Sequence, residues 1–195
     1  AGSRSPHGWN EYFPQKAVKY FPAADMNTFT ATYLKKPLQA DDYLKFLVRE
    51  LKPFIDKSFP TLTDRDNTFI AGSSMGGLIS MYAICEYPNV FGGAACLSTH
   101  WPGIFSIEGN PLPDAFVTYL SKHLPNPKSH KIYFDCGDQT LDALYPPWQR
   151  KADAIMQAKG FTEKSWITKY FPGDDHSEKS WNKRLHIPLL FLLGK

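Results

Sequence analysis

Between the short apolar run Thr68 to Ala71 and a helical stretch beginning at Gly77 stands Gly72-Ser73-Ser74-Met75-Gly76. A chain that leaves a strand and enters a helix across so short a segment must turn sharply, and that turn commits it to packing helix on sheet. The glycines leave room where strand and helix approach each other. A serine hydroxyl is a poor nucleophile until a base takes its proton, and a Gly-x-Ser-x-Gly turn lifts Ser74 to where a base can reach. The N-terminus of the following helix directs free N–H groups and its positive dipole end at the same point, which suits an oxyanion; the Met75 N–H is the donor that can be assigned. Gly-x-Ser-x-Gly also occurs in loops that merely join elements, and the strand-turn-helix setting is what argues against that reading here.

The rest of the chain alternates strands with helices, the pattern of a mostly parallel sheet with helices on both faces. Apolar spacing over Asp41 to Lys57 (Tyr43, Leu44, Phe46, Leu47, Leu51, Phe54, Ile55) predicts an amphipathic helix ended near Pro60. After Ser74 come a helix over Gly77 to Glu86, a strand over Gly93 to Ser98, a helix over Asp114 to His123 and a strand over Lys131 to Cys136. A helix over Pro147 to Lys159, a strand over Trp166 to Phe171 and a helix over Ser177 to Leu193 close the chain.

A serine nucleophile needs a histidine and a carboxylate, and in sheets of this kind they follow it in the order serine, acid, histidine. His176, in the loop after the strand Trp166 to Phe171, is the expected base, and His100, after the strand ending near Ser98, is its rival or a pocket wall. Three carboxylates follow the strand from Lys131. Asp142 is favoured because the acid must hang from the loop beyond its strand; Asp138 remains open, with turn-holding as its alternative role, and Asp135 still lies inside the strand. Trp101, His100, Tyr12 and Tyr145, together with Trp9 and Phe13, are candidates to line the pocket, with ordinary loop packing as the alternative for each.

Composition narrows the remaining classes. At 195 residues with 43% hydrophobic and 15% aromatic content, the chain can bury one sizeable core and is short for two ordinary domains. A net charge of +3 with scattered lysines, and no nucleic-acid motif, gives no footprint for a nucleic-acid partner. No apolar run is long enough to span a bilayer. Cys85, Cys96 and Cys136 read as buried free thiols, a Cys96–Cys136 pair being conceivable only if their strands adjoin. No spacing suggests a metal site and no loop a phosphate site, so no metal and no cofactor is expected. Nothing separates a cytoplasmic from a secreted or periplasmic location.

On Gly72-Ser73-Ser74-Met75-Gly76-Gly77, on Asp135-Cys136-Gly137 with Asp142, on Gly173 to His176 with Glu178 and Trp181, and on Arg4, Glu11, Tyr12 and Pro14, the chain resembles a family of α/β-hydrolases. Its members include esterase D, S-formylglutathione hydrolase, the antigen 85 mycolyltransferases, and enterochelin, feruloyl and acetyl xylan esterases. The resemblance implies a three-layer αβα fold and hydrolysis of a carboxylic ester, the candidate substrates being small esters of a carbohydrate or an aromatic acid. It implies Ser74, Asp142 and His176 as the catalytic triad, and Trp181 as the aromatic that anchors the last helix. Acyl transfer to another alcohol is the alternative within the family, and a noncatalytic hydrolase-fold module or fragment is the alternative outside catalysis.

Against that family the serine comes early. About four strands would precede the helix that leads to it, yet residues Ala1 to Ala40 offer only a short candidate strand at Phe29 to Leu34. The expectation is therefore a single esterase domain over residues 1–195 that is N-terminally incomplete and carries the C-terminal half of the sheet. No counterpart of the family's second oxyanion donor is found. An uncovered strand at Thr68 to Ala71 would be a liability, so a second chain or a homodimer is a candidate cover.

Overall fold

The computed structural model describes residues 8–22, 37–105 and 108–194. Arg4, the Trp9 side chain and the candidate strand Phe29 to Leu34 lie outside the described residues. The elements are α1 (Gly8–Tyr12), a 3₁₀ turn (Gln15–Tyr20), α2 (Ala40–Phe46), a π-helical segment (Leu47–Leu51), α3 (Lys52–Ser58), a 3₁₀ turn (Arg65–Asn67), β1 (Phe69–Ser73), α4 (Met75–Glu86), β2 (Gly93–Leu97) and α5 (Leu112–His123). There follow β3 (Lys131–Gly137), a 3₁₀ turn (Thr140–Leu144), α6 (Pro146–Ala158), β4 (Trp166–Phe171), α7 (Glu178–Arg184) and α8 (His186–Leu193).

Among the described residues four strands, all parallel, pair in chain order, β1-β2-β3-β4. The two central strands read as near-continuous small and apolar runs because helices cover both their faces: all of β2 is buried, and so is β3 after Lys131. Alternation then sorts their side chains. Ala94, Cys96, Ile132, Phe134 and Cys136 enter the large core beneath α4, α5 and α6, while Ala95, Leu97 and Tyr133 meet Leu192 of α8 on the other face. Helix α4, which leaves the serine turn, is buried from Gly77 to Cys85, as an apolar-all-round sequence requires.

Two helices depart from the sequence reading, each at a proline. The helix expected over Asp41 to Lys57 forms over the same stretch, but Leu47–Leu51 widens to π geometry, with the Lys52 N–H bonded to the Leu47 carbonyl. Pro53 follows directly; it has no N–H to donate, and its ring would press on the Arg49 carbonyl of a regular turn. The single helix expected over Ser177 to Leu193 is instead two, α7 and α8, parted at Leu185. Pro188 has the same effect there, since it cannot bond back to the carbonyl of Arg184. The three cysteines are free and buried although β2 and β3 adjoin. Their registers are offset, Cys96 opposite Phe134 and Cys136 opposite Tyr170. Burial pushes the Cys136 thiol up to about 12, which makes it an inert core residue.

Candidate active site

Strand β1 delivers Ser74 to the C-terminal edge of the sheet. At the turn the serine takes φ 59° and ψ −122°, a backbone state that non-glycine residues seldom adopt. Its neighbours hold it there: the Ser74 N–H donates to the Leu97 carbonyl at 2.9 Å, and the His100 N–H donates to the Ser74 carbonyl at 3.2 Å. Gly72 is required by the same turn, because a Cβ at that position would stand 2.5 Å from the carbonyl carbon and oxygen of Gly76. Met75 opens α4, so its N–H has no acceptor within the helix.

Strands β3 and β4 bring the other two groups. His176 Nε2 lies 2.9 Å from Ser74 Oγ, and His176 Nδ1 lies 2.6 Å from Asp142 Oδ1. The imidazole is held from outside its ring as well, since its backbone N–H donates to Thr140 Oγ1 at 2.9 Å and Trp181 stands edge-on at 5.0 Å. The loops bearing the acid and the histidine are laced together. The N–H groups of Asp138 and Gln139 both donate to the Asp174 carbonyl at 3.1 Å, and a Cβ on Gly137 would meet that oxygen at 2.0 Å.

Each carboxylate in this region has a separate task. Asp142 is fully buried, and burial alone would raise its pKa; hydrogen bonds from His176, Ser98 Oγ and the Gly137 N–H outweigh that and hold it below the usual carboxylate range. Asp138 accepts from the Gln139 side chain at 2.7 Å and the Gly173 N–H at 2.8 Å, so it ties the two loops at the surface and does not touch the imidazole. Asp135 pairs with Arg184, Nη2 to Oδ1 at 2.9 Å, and its pKa is raised because burial exceeds what that partner restores.

The pocket candidates divide. His100 and Tyr145 are buried beside His176: Tyr145 Oη lies 2.7 Å from His100 Nδ1 and 3.4 Å from His176 Nδ1. His100 is pushed down to about 4 by burial and by the neighbouring His176, so it stands there as a neutral imidazole. Trp101 and Phe13 are corrections to the sequence reading. Trp101 has no exposed surface, donates its indole N–H to Gln149 Oε1 at 3.1 Å and packs on Phe134, while Phe13 packs on Phe116; both belong to the core. Tyr12 is half-buried with its ring 5.1 Å from that of Tyr43, in the contact between α1 and α2.

Three residues lie beside this hydrogen-bond chain; nothing in the sequence points to Ser98 or Arg184, and the resemblance marks Trp181 only as the aromatic that anchors the last helix. Ser98, at the end of β2, donates to Asp142 Oδ2 at 2.6 Å, while Trp181 Nε1 and Arg184 Nη2 both donate to Ser98 Oγ, at 2.9 and 2.8 Å. Among the described residues no group of His, Cys, Asp or Glu is disposed to hold a metal ion, and no helix is long and apolar enough to cross a membrane.

Comparison with known proteins gives a consistent picture. A family model described as "Putative esterase" matches residues 13–190. The chain is 30% identical over 147 residues to an endo-1,4-beta-xylanase/feruloyl esterase of Xylanibacter ruminicola, covering 75% of the chain and 17% of that protein. Among solved structures, a ferulic acid esterase superposes with a TM-score of 0.60 at 21% identity, over 77% of the chain and 60% of the other. The enterobactin esterase of Shigella flexneri gives 0.62 at 20% identity, over 78% and 38%. The chain thus spans less than two thirds of the length of each of these proteins.

Proposed function

The chain belongs to this esterase family and has its α/β-hydrolase fold, and on that premise we propose that it is a serine esterase that cleaves carboxylic esters through an acyl-enzyme. The observation that carries the reading is the unbroken hydrogen-bond chain from Ser74 Oγ through His176 to Asp142, at 2.9 and 2.6 Å. Ser74 Oγ attacks the ester carbonyl as His176 Nε2 takes its proton. Asp142 fixes the imidazole through Nδ1–H and stabilises the imidazolium, and the Met75 N–H donates to the oxyanion. The imidazolium then gives its proton to the departing alcohol. Water, activated by the same base, attacks the acyl carbonyl and returns the enzyme with the acid as product.

The substrate class we propose is an aromatic-acid or carbohydrate ester, the first supported by the feruloyl and ferulic acid esterases to which the chain is similar. Turnover of p-nitrophenyl acetate and methyl ferulate is the direct test. Ser74→Ala should remove nearly all activity, and Asp142→Asn should lower kcat by a thousand-fold or more, on the order of 10⁴ by analogy with triads elsewhere. Activity that survives both substitutions would refute the reading. Adding an acceptor alcohol and analysing products separates hydrolysis from acyl transfer.

The domain is read as one esterase unit whose sheet continues past β1, with a second chain, a homodimer or further strands as the cover. A second functional reading, a noncatalytic module, is favoured by one observation alone: among the described residues β1 has a strand on only one side.

A further inference from the structure

Ser98 occupies a position that ordinary packing does not explain. It is fully buried and takes φ 41°, in the left-handed region that favours glycine, although its side chain is a hydroxymethyl group. Its backbone N–H is committed to Asp135, to the carbonyl at 2.9 Å and to Oδ1 at 3.0 Å. Its hydroxyl is committed as well. A hydroxyl oxygen can accept two hydrogen bonds and donate one. Here Trp181 Nε1–H and an Arg184 Nη2–H fill the acceptor sites, so the hydroxyl's single proton has one destination, Asp142 Oδ2 at 2.6 Å.

The two donors that fix this hydroxyl come from one helix. Trp181 and Arg184 lie three residues apart on α7, one turn of a helix, and therefore share a face. Arg184 is itself buried and anchored by Asp135 and by Asp174, Nη1 to Oδ2 at 3.2 Å, so its guanidinium is not free to turn. Asp174 lies in the loop that carries His176. The network thus ties the histidine's loop, the helix after it and the end of β2 to a single oxygen of Asp142. With Oδ2 also accepting the Gly137 N–H at 2.6 Å, Asp142 is left with Oδ1 alone to face His176.

We propose that Ser98 is a positioning residue for ester cleavage: clamped by Trp181 and Arg184, its hydroxyl fixes the rotation of the Asp142 carboxylate so that Oδ1 meets His176 Nδ1. The inference rests on the triad reading above. It gives the positive φ a purpose, because the left-handed turn after β2 is what points the hydroxyl at Asp142.

The test uses Ser98→Ala and Ser98→Gly in the purified chain. Both remove the hydroxyl, but glycine also relieves the backbone, so a variant that folds is available even if alanine is poorly tolerated. Steady-state kinetics with p-nitrophenyl acetate should show kcat lowered by about ten-fold to a hundred-fold at unchanged KM, the scale of a hydrogen bond to a charged group. The downfield proton resonance of His176 Nδ1–H, a signature of its short bond to Asp142, should move upfield in both variants. If both keep kcat within about two-fold of the parent and leave that resonance in place, the inference is wrong. Asp142→Asn run alongside separates the two levels. An inactive Asp142→Asn with fully active Ser98 variants removes only the role of Ser98, whereas a fully active Asp142→Asn removes the triad reading and this one with it.

Discussion

His100 is a buried imidazole with a cost that can be read from pH. Its pKa falls from 6.5 to about 4 because burial and the nearby His176 disfavour its charge. The unfolded chain therefore takes up a proton as pH drops through 6.5, and the folded chain does not until about 4. Stability is lost across that window as pH falls, since the unfolded state binds more protons there. His100→Asn, which can still pair with the Tyr145 hydroxyl, should flatten the acid-side slope of denaturation midpoint against pH; an unchanged slope would show that another group is responsible. At this scale the sequence was legible where chemistry restricts the residue type. Ser74 followed from its turn, and His176 and Asp142 from chain order and strand ends. Ser98 and Arg184 did not, because a serine at a strand end and an arginine in a helix's last turn are ordinary surface residues until the fold shows both fully enclosed.

The turn between β1 and α4 is the element on which the site depends. Gly72 is needed because any Cβ there meets backbone of Gly76, which no side-chain movement can relieve. Gly72→Ala should lower stability by about 1–3 kcal/mol, the usual cost of forcing an extra carbon into packed structure, and should also displace Ser74. Thermal unfolding together with turnover checks both effects, and a variant of parental Tm and activity would contradict the geometry. The strands and helices were readable from apolar runs and helical spacing, with β4 found at the same residues as expected. What escaped was the effect of proline within a helix. Pro53 is absorbed by a widened turn and Pro188 splits the last helix, and spacing alone does not tell which response a proline will draw.

At the scale of the whole molecule, the feature that matters most among the described residues is the side of β1 that no described strand pairs with. Among the described residues β1 has β2 on one side and no strand on the other, and in the stretch that leads into it Phe54, Phe59 and Leu62 are each more than half exposed. An uncovered strand edge beside exposed apolar side chains favours association. The chain on its own should form dimers or larger species in a concentration-dependent way by light scattering, and should bind a hydrophobic dye. A monomer that stays dye-silent at high concentration would show that the edge needs no cover. The parallel sheet follows from the alternation of strands and helices, whereas its strand order and what pairs with β1 on its other side do not. Whether this sheet supports chemistry is tested most directly by fluorophosphonate labelling of the folded chain, read by peptide mass spectrometry with Ser74→Ala as control. The account predicts covalent label on Ser74 and none in the variant; folded protein that takes up no label at Ser74 would contradict it.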